Sequence, residues 1–146
     1  MPLANLSRLA ATLATATVVG AGAAAAQSCD VGSMYHGQYT ANYTAGSHAG
    51  MDYVFNNTLY FSRSGNYIHS KYITSSGVSG EGTGVIDLAN CTVMMNYHST
   101  TPSCPGTYYG PYTFSHDGGA LSWTFNGQDC WGTLNGQGQA DEANIN

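Results

Sequence analysis

Three ionisable residues in the middle of the chain have the types that proton transfer requires. His69 and Lys71 share one face of the third predicted strand, and Glu81 occupies the corresponding face of the fourth. In a closed interior, a low dielectric would shift their pKa values and let them act as catalytic acid and base. That outcome requires this face of the two strands to point inward. The opposite orientation, with the face in solvent, is favoured because charged groups are rarely buried. It leaves these three residues in solvent and turns inward the apolar residues of both strands, Ile68, Tyr72, Ile86 and Leu88.

Methionine and histidine recur together along the chain. Every methionine after Met1 lies within four residues of a histidine: Met34 with His36, Met51 with His48, and Met94 and Met95 with His98. Thioether and imidazole together suit Cu(I). Met34 and His36 share a strand face, as do Met94 and His98, so each pair is a candidate copper site. The competing interpretation is favoured, in which methionine fills the core and histidine lies at the surface.

Aromatic residues define a third candidate site. Three predicted strands each carry aromatic or large apolar side chains on one face: Tyr35, Tyr39 and Tyr43; Tyr108, Tyr112 and Phe114; Leu121, Trp123 and Phe125. A tyrosine offers a ring wall and a hydroxyl that orients a ligand, so the pattern predicts a pocket for a small apolar or aromatic molecule. The expected ligand-binding residues are Tyr39, Tyr67, Tyr112 and Trp123, with His69 beside them. In the alternative interpretation Trp123, Phe125 and Trp131 fill the core while the tyrosines cover the exterior of the sheet.

The elements that would position these residues are all strands. Period-two apolar patterns bounded by turn residues predict eight of them, over residues 35–43, 58–62, 67–74, 81–88, 92–98, 108–115, 120–125 and 129–134. Asp117-Gly118-Gly119 and Asn126-Gly127 predict tight turns. The glycine-rich stretch from Gly77 to Gly84 runs into a strand and lacks a lysine, so it indicates a hairpin rather than a phosphate-binding loop.

Strand order predicts the architecture. Eight short strands in meander order favour a small antiparallel up-and-down barrel, with a two-sheet sandwich as the alternative, because closure removes exposed edges. Gly37-Gln38-Tyr39 is similar to the Gly-x-Trp segment that often opens lipocalin and avidin barrels, with tyrosine in place of tryptophan. This similarity implies a lipocalin-like or avidin-like architecture, and its three residues assign no family. An eight-stranded interior either fills with side chains or holds one small ligand.

The start of the chain predicts a secretory signal peptide over residues 1–26. Arg8 precedes an apolar run that ends in Ala24-Ala25-Ala26, a small-residue cleavage site, and no basic stop-transfer cluster follows. We therefore expect a secreted or periplasmic protein with no membrane insertion after signal removal. Residues 27–135 are predicted to form a single β-barrel domain, and residues 136–146 a flexible C-terminal tail.

The cysteines are even in number. Cys29, Cys91, Cys104 and Cys130 predict two disulfides in an exported chain, and none has the close C-x-x-C spacing of a zinc or redox site. Of three possible connectivities we favour Cys91 with Cys104, closing a proline-containing excursion. The second bridge would then join Cys29 to Cys130 and tie the first strand to the last.

Charge and motifs restrict the class of function. The net charge is −5, and Arg63 and Lys71 are the only basic residues after Arg8, which argues against nucleic acid as a partner. Motifs for hydrolysis or nucleotide binding are absent from the sequence. The sequence predicts an exported barrel that binds a small apolar or aromatic molecule, without a cofactor unless copper binds. The alternatives are a barrel enzyme of the isomerase, cyclase or lyase type, and a periplasmic copper-binding protein.

Overall fold

The computed structural model describes residues 28–143, which form eight antiparallel strands and no helix. The strands are β1 (Met34–Ala45), β2 (Asp52–Ser64), β3 (Tyr67–Thr74), β4 (Ser79–Asp87), β5 (Thr92–Ser99), β6 (Thr107–Phe114), β7 (Ala120–Asp129) and β8 (Gly132–Glu142). Within these residues, no helix has the length and apolarity needed to cross a membrane. The predicted signal peptide lies outside the described residues.

The strands close into a barrel in sequence order. Each strand pairs with its neighbours in the chain, and β1 also pairs with β8, in a register that runs from Tyr35 opposite Glu142 to Ala45 opposite Thr133. The predicted up-and-down barrel is confirmed. At Gly37 the two closing strands approach so closely that a Cβ atom would meet the carbonyl oxygen of Gln139 and the side chain of Ala140. A larger residue there would push β1 away from β8.

The prediction of a flexible tail after residue 135 is wrong for residues 136–142, which belong to β8. The predicted turn at Asn126-Gly127 is wrong for a related reason, since both residues continue β7 and pair with Asn135 and Leu134. The chain turns instead at Cys130 and Trp131. These stretches carry small and amide side chains, so they lack the apolar alternation that marks a strand.

Alternation along each strand places many of the large apolar side chains inside, although Val54, Ile73 and Val85 lie exposed on the outer face. Trp123 is 4 % exposed, whereas its neighbours Ser122 and Thr124 are exposed. Glycines on neighbouring strands make room for these rings: a Cβ atom at Gly138 would collide with the indole of Trp123, and one at Gly136 with the ring of Phe125. Pairing of large with small inward residues is how a narrow barrel fills its interior.

One end of the barrel is closed by packing. Tyr35, Phe61 and Phe114 form a buried aromatic cluster with ring centroids 5.1 to 5.8 Å apart. The segment that precedes β1 crosses this end, where the Tyr35 hydroxyl accepts a hydrogen bond from the backbone N–H of Gly32 and donates one to the carbonyl of Gly118. Cys29 anchors the segment through a disulfide.

The cysteine pairing differs from the prediction. All four cysteines form disulfides, but Cys29 bonds to Cys91 and Cys104 bonds to Cys130. The predicted pairing assumed that Cys29 lies beside the last strand, whereas the N-terminal segment turns across the barrel end to the start of β5. Cys104, in the loop before β6, instead meets the turn between β7 and β8.

Candidate functional site

The barrel interior contains a cavity of about 60 Å³ toward the end where β1 finishes and β2 begins. Ser76 and Val78 of the β3–β4 loop and Trp131 of the β7–β8 turn line it at this end, while the opposite end of the barrel is packed. Most of its lining is aromatic: Tyr39, Tyr43, Tyr72, Tyr97, Tyr108, Tyr112, Phe55, Phe125, Trp123 and Trp131. The remaining residues are Ala41, Asn57, Leu59, Thr74, Ser76, Val78, Cys104, Asp129 and Leu134.

A rigid stack forms part of the cavity wall. The rings of Tyr112 and Trp123 are parallel to within 3°, with centroids 5.5 Å apart, because the two residues are register partners on β6 and β7. Tyr97 packs against Tyr112 and donates its hydroxyl proton to Ser70, which is fully buried. Since each ring is held by its neighbours, the packing fixes the position of this wall.

Four aromatic rings form the rim of the cavity. The centroid of the His48 ring, in the loop between β1 and β2, lies 5.1 Å from that of Trp131, and Tyr43 and Tyr53 pack around both rings. His48 also donates its backbone N–H to the carbonyl oxygen of Trp131. The loop and the β7–β8 turn therefore form one continuous edge of the opening.

Asp129 is the one charged residue in the cavity lining. Its Oδ2 atom accepts hydrogen bonds from the hydroxyls of Tyr43, at 2.7 Å, and Tyr108, at 3.2 Å. Its Oδ1 atom accepts a third from the backbone N–H of Trp131, at 2.9 Å. In all three contacts the carboxylate oxygens accept, while the two tyrosine hydroxyls and the backbone N–H donate.

Two buried polar atoms facing this interior have no hydrogen-bond partner among residues 28–143: Oδ1 of Asn57 and the hydroxyl of Tyr72. Asn57 is 8 % exposed. Tyr108, the neighbour of Tyr72, donates its hydroxyl proton to Asp129. Buried polar groups are almost always paired, so each of these two atoms needs an explanation, and an ordered water or ion is a usual one.

Burial keeps the interior tyrosines neutral. The pKa of Tyr72 is raised to about 12, mainly by burial; the neighbouring Tyr108 hydroxyl acts to lower this pKa and the Asp129 carboxylate acts to raise it. The pKa values of Tyr43 and Tyr108 are raised for the same two reasons, burial being the larger in both. Burial also raises the pKa values of Tyr39, Tyr97 and Tyr112. The cavity therefore presents neutral phenols, which can both donate and accept hydrogen bonds, at any physiological pH.

The structure brings together three of the four predicted ligand-binding residues. Tyr39, Tyr112 and Trp123 line the cavity. Tyr67 lies on the outer face of β3 and is 50 % exposed, so it takes no part in the cavity. The aromatic alternation that suggested the first three is a reliable sign of the inward face, whereas Tyr67 alternates with the buried Ile68 and faces out.

His69, Lys71 and Glu81, the predicted catalytic residues, lie on the outer face of the barrel. Ile68 and Ile86 are buried, as the favoured parity requires, although Leu88 lies beyond the end of β4 and is exposed. Glu81 lies between two histidines, with Oε2 3.8 Å from Nε2 of His69 and Oε1 3.5 Å from Nε2 of His98. These groups are solvated and separated by the sheet from the cavity.

The predicted copper ligands fall into two separate places. Met34 and His36 lie on the outer face of β1, where Nδ1 of His36 is 3.0 Å from the Thr58 hydroxyl. Met94 and His98 lie on the outer face of β5, four strands away. Each pair therefore remains a separate two-ligand prediction.

Elsewhere among the described residues, the ligand atoms of Cys104, Asp129 and Cys130 lie within 4.8 Å of one another. The two sulfur atoms are bonded to each other. This group therefore does not indicate a metal site.

Sequence reasoning missed Asn57 and Asp129 as site residues. Both are polar residues at inward positions, Asn57 in β2 between Phe55 and Leu59, and Asp129 at the end of β7. The parity of the apolar neighbours of Asn57 could have revealed it. Asp129 could not be found in this way, because its partner Tyr43 lies 86 residues away in the chain.

No known family model matches the chain, and no curated protein shows significant sequence similarity to it. Closed eight-stranded barrels serve many unrelated functions, so the fold does not assign one. The function must therefore be argued from the cavity and its residues.

Proposed function

We propose that this protein is an exported, disulfide-stabilised barrel that binds a small molecule with an aromatic or apolar body at the open end of its interior. The observation that carries the proposal is the pair of unpartnered buried atoms, Asn57 Oδ1 and the Tyr72 hydroxyl, beside an aromatic cavity. A ligand that reaches them would replace the hydrogen bonds they lost on burial. The two disulfides agree with an oxidising compartment outside the cytoplasm.

The size of the cavity restricts how such a ligand binds. A volume of about 60 Å³ is well below the roughly 300 Å³ of the smallest pockets for drug-sized molecules. We therefore place only a polar head group inside, while the body of the ligand lies at the opening against Trp131 and Tyr43. An enzyme that uses His69, Lys71 and Glu81 gains no support, because the sheet separates them from this cavity.

Native mass spectrometry of the protein from its own exported fraction tests the proposal. We expect an additional organic mass that is lost on denaturation, with metal analysis of the same sample to detect copper. A bare polypeptide, whose tryptophan fluorescence also stays unchanged with small aromatic alcohols, amines and acids, would contradict the proposal.

A Tyr72→Phe variant tests the role of the unpartnered hydroxyl. Removing the hydroxyl should raise the free energy of unfolding by about 1 kcal/mol, because a buried polar group without a partner costs stability. The fraction of protein molecules that retain the additional ligand mass should fall. The matched control is Tyr97→Phe. That variant loses the hydrogen bond to Ser70 and should be destabilised by about 1 kcal/mol. If both variants lose stability equally and Tyr72→Phe keeps its ligand, the Tyr72 hydroxyl has no such role.

A further inference from the structure

The lining of the cavity carries one acidic side chain. Among residues 28–143, Asp129 is the one charged residue of that lining and no lysine, arginine or histidine belongs to it, while the nearby imidazole of His48 lies outside it, against Trp131. Among residues 28–143, the ion pairs involve Glu81 with two histidines and leave Asp129 out. Hydrogen bonds from Tyr43, Tyr108 and the Trp131 backbone hold the carboxylate in place without neutralising it. An anionic ligand would be repelled here and a cation attracted.

The walls around Asp129 favour the same sign of charge. Aromatic faces carry a negative quadrupole and attract cations that lie over them, and tryptophan does so most strongly. Trp131 and Tyr43 pack together at the opening, and Tyr108 continues the wall inward. Because the Tyr43 and Tyr108 hydroxyls donate to Asp129, their oxygen lone pairs remain available to a ligand donor.

The unpartnered atoms add a hydrogen-bonding requirement. Oδ1 of Asn57 can only accept a proton, and the Tyr72 hydroxyl can also accept one. An ammonium group has three donors and no acceptor, so it can donate to the Asn57 oxygen and to the lone pairs of the Tyr72 hydroxyl. A carboxylate would bring only acceptors to this site.

From the charge, the rings and the acceptors together, we infer that the cavity selects molecules carrying an ammonium group, with Asp129 as the residue that sets this selectivity. This inference rests on the proposed function, and it names the ligand class of the same site. The ligand is then an amine whose charged head enters the cavity and whose apolar body lies on the rim.

Three probes that share one body test the inference: benzylammonium, benzyl alcohol and benzoate. Their binding to the full mature protein, followed by calorimetry and tryptophan fluorescence at about pH 8, compares cation, neutral donor and anion. We expect benzylammonium to bind about tenfold more tightly than benzyl alcohol, and benzoate to bind most weakly.

Asp129→Asn removes the charge while keeping the shape of the side chain. It should remove most of the preference for benzylammonium over benzyl alcohol. The matched control is Asp52→Asn, because Asp52 lies at the same end of the barrel but is exposed and accepts a hydrogen bond from Asn42 outside the cavity. That variant should keep the preference. The ranking of the probes on the unmodified protein needs no variant, so it remains decisive if Asp129→Asn does not fold.

The outcomes separate the two proposals. Equal or tighter binding of benzyl alcohol would overturn the ammonium inference and leave the binding cavity intact. A preference that survives Asp129→Asn, or that is lost equally in Asp52→Asn, would overturn the role of Asp129. If no probe binds, the ammonium inference fails, and the organic mass in the native preparation decides the proposed function separately.

Discussion

Single residues decide how much room the interior of this barrel leaves. Trp123 and Gly138 face each other across β7 and β8, and the indole occupies the space that a Cβ atom at Gly138 would need. The stack of Trp123 on Tyr112 depends on this position of the ring. The glycine therefore fixes the place of a ring that lines the cavity, although Gly138 is not itself a lining residue.

Gly138→Ala tests this packing. We expect the free energy of unfolding to fall by about 1–3 kcal/mol, because overpacking forces rings and backbone to shift. The near-ultraviolet circular dichroism of the Tyr112–Trp123 pair should change as well. Gly119→Ala is the control, since the nearest side chain to a Cβ atom there is the exposed Asp117, and its effect should stay within about 0.5 kcal/mol. Equal effects of the two substitutions would rule out the packing argument.

At the scale of elements, the two disulfides stabilise opposite ends of the barrel. Cys29–Cys91 holds the N-terminal segment across the closed end, whereas Cys104–Cys130 joins the loop before β6 to the turn after β7. Cys104 also lines the cavity. The first bridge therefore keeps one end closed, and the second shapes the open end.

Variants that lack one bridge at a time should show that the two disulfides stabilise different ends of the barrel. The two bridges span 62 and 26 residues. Loop-closure entropy then predicts losses of about 4 kcal/mol for the Cys29→Ala/Cys91→Ala pair and about 3.5 kcal/mol for Cys104→Ala/Cys130→Ala. Denaturant unfolding measures these losses. At a temperature where both variants are folded, only the second should bind ligand more weakly. Weaker binding in the first variant alone would contradict the assignment.

At the scale of the whole molecule, the interior holds many neutral phenols. Because of them, the free energy of unfolding should fall as the pH rises into the alkaline range. Burial raises the pKa values of the interior tyrosines above the ordinary value of 10, with Tyr72 at about 12. Above pH 10 the unfolded chain loses these protons while the folded protein keeps them. Their contribution to stability is therefore complete below pH 10 and is lost as the pH rises through the folded values.

Urea unfolding at a series of pH values from about 8 to 12 measures this loss. Above pH 10, a buried tyrosine keeps its proton in the folded protein and loses it in the unfolded chain. Each such tyrosine should reduce the free energy of unfolding by up to about 1.4 kcal/mol for each pH unit above 10. Tyr112→Phe should reduce the slope, because Tyr112 is buried and its pKa is raised well above the ordinary value. A stability that does not change between pH 10 and 12 would contradict the expectation.

Much of the architecture could be predicted from the sequence because strand parity is a local property. Ser122 and Thr124 flank Trp123, so the inward face of β7 follows from three consecutive residues. The same reasoning identified Tyr39 and Tyr112 as interior residues, and it favoured a solvated position for His69. It failed for residues 136–142, where small inward residues accommodate rings from β7 and carry no apolar signal of their own.

The alternation of side chains by itself determined an all-β chain of eight strands, the meander order that favours closure, and the inward aromatic faces. Tertiary structure alone decided which cysteines meet, which end of the barrel is packed, and that Asp129 lies beside Tyr43. The physical reason is the range of the interactions. Alternation depends on neighbouring residues, whereas barrel closure joins β1 to β8 and brings together residues whose distance along the chain gives no sign of their contact.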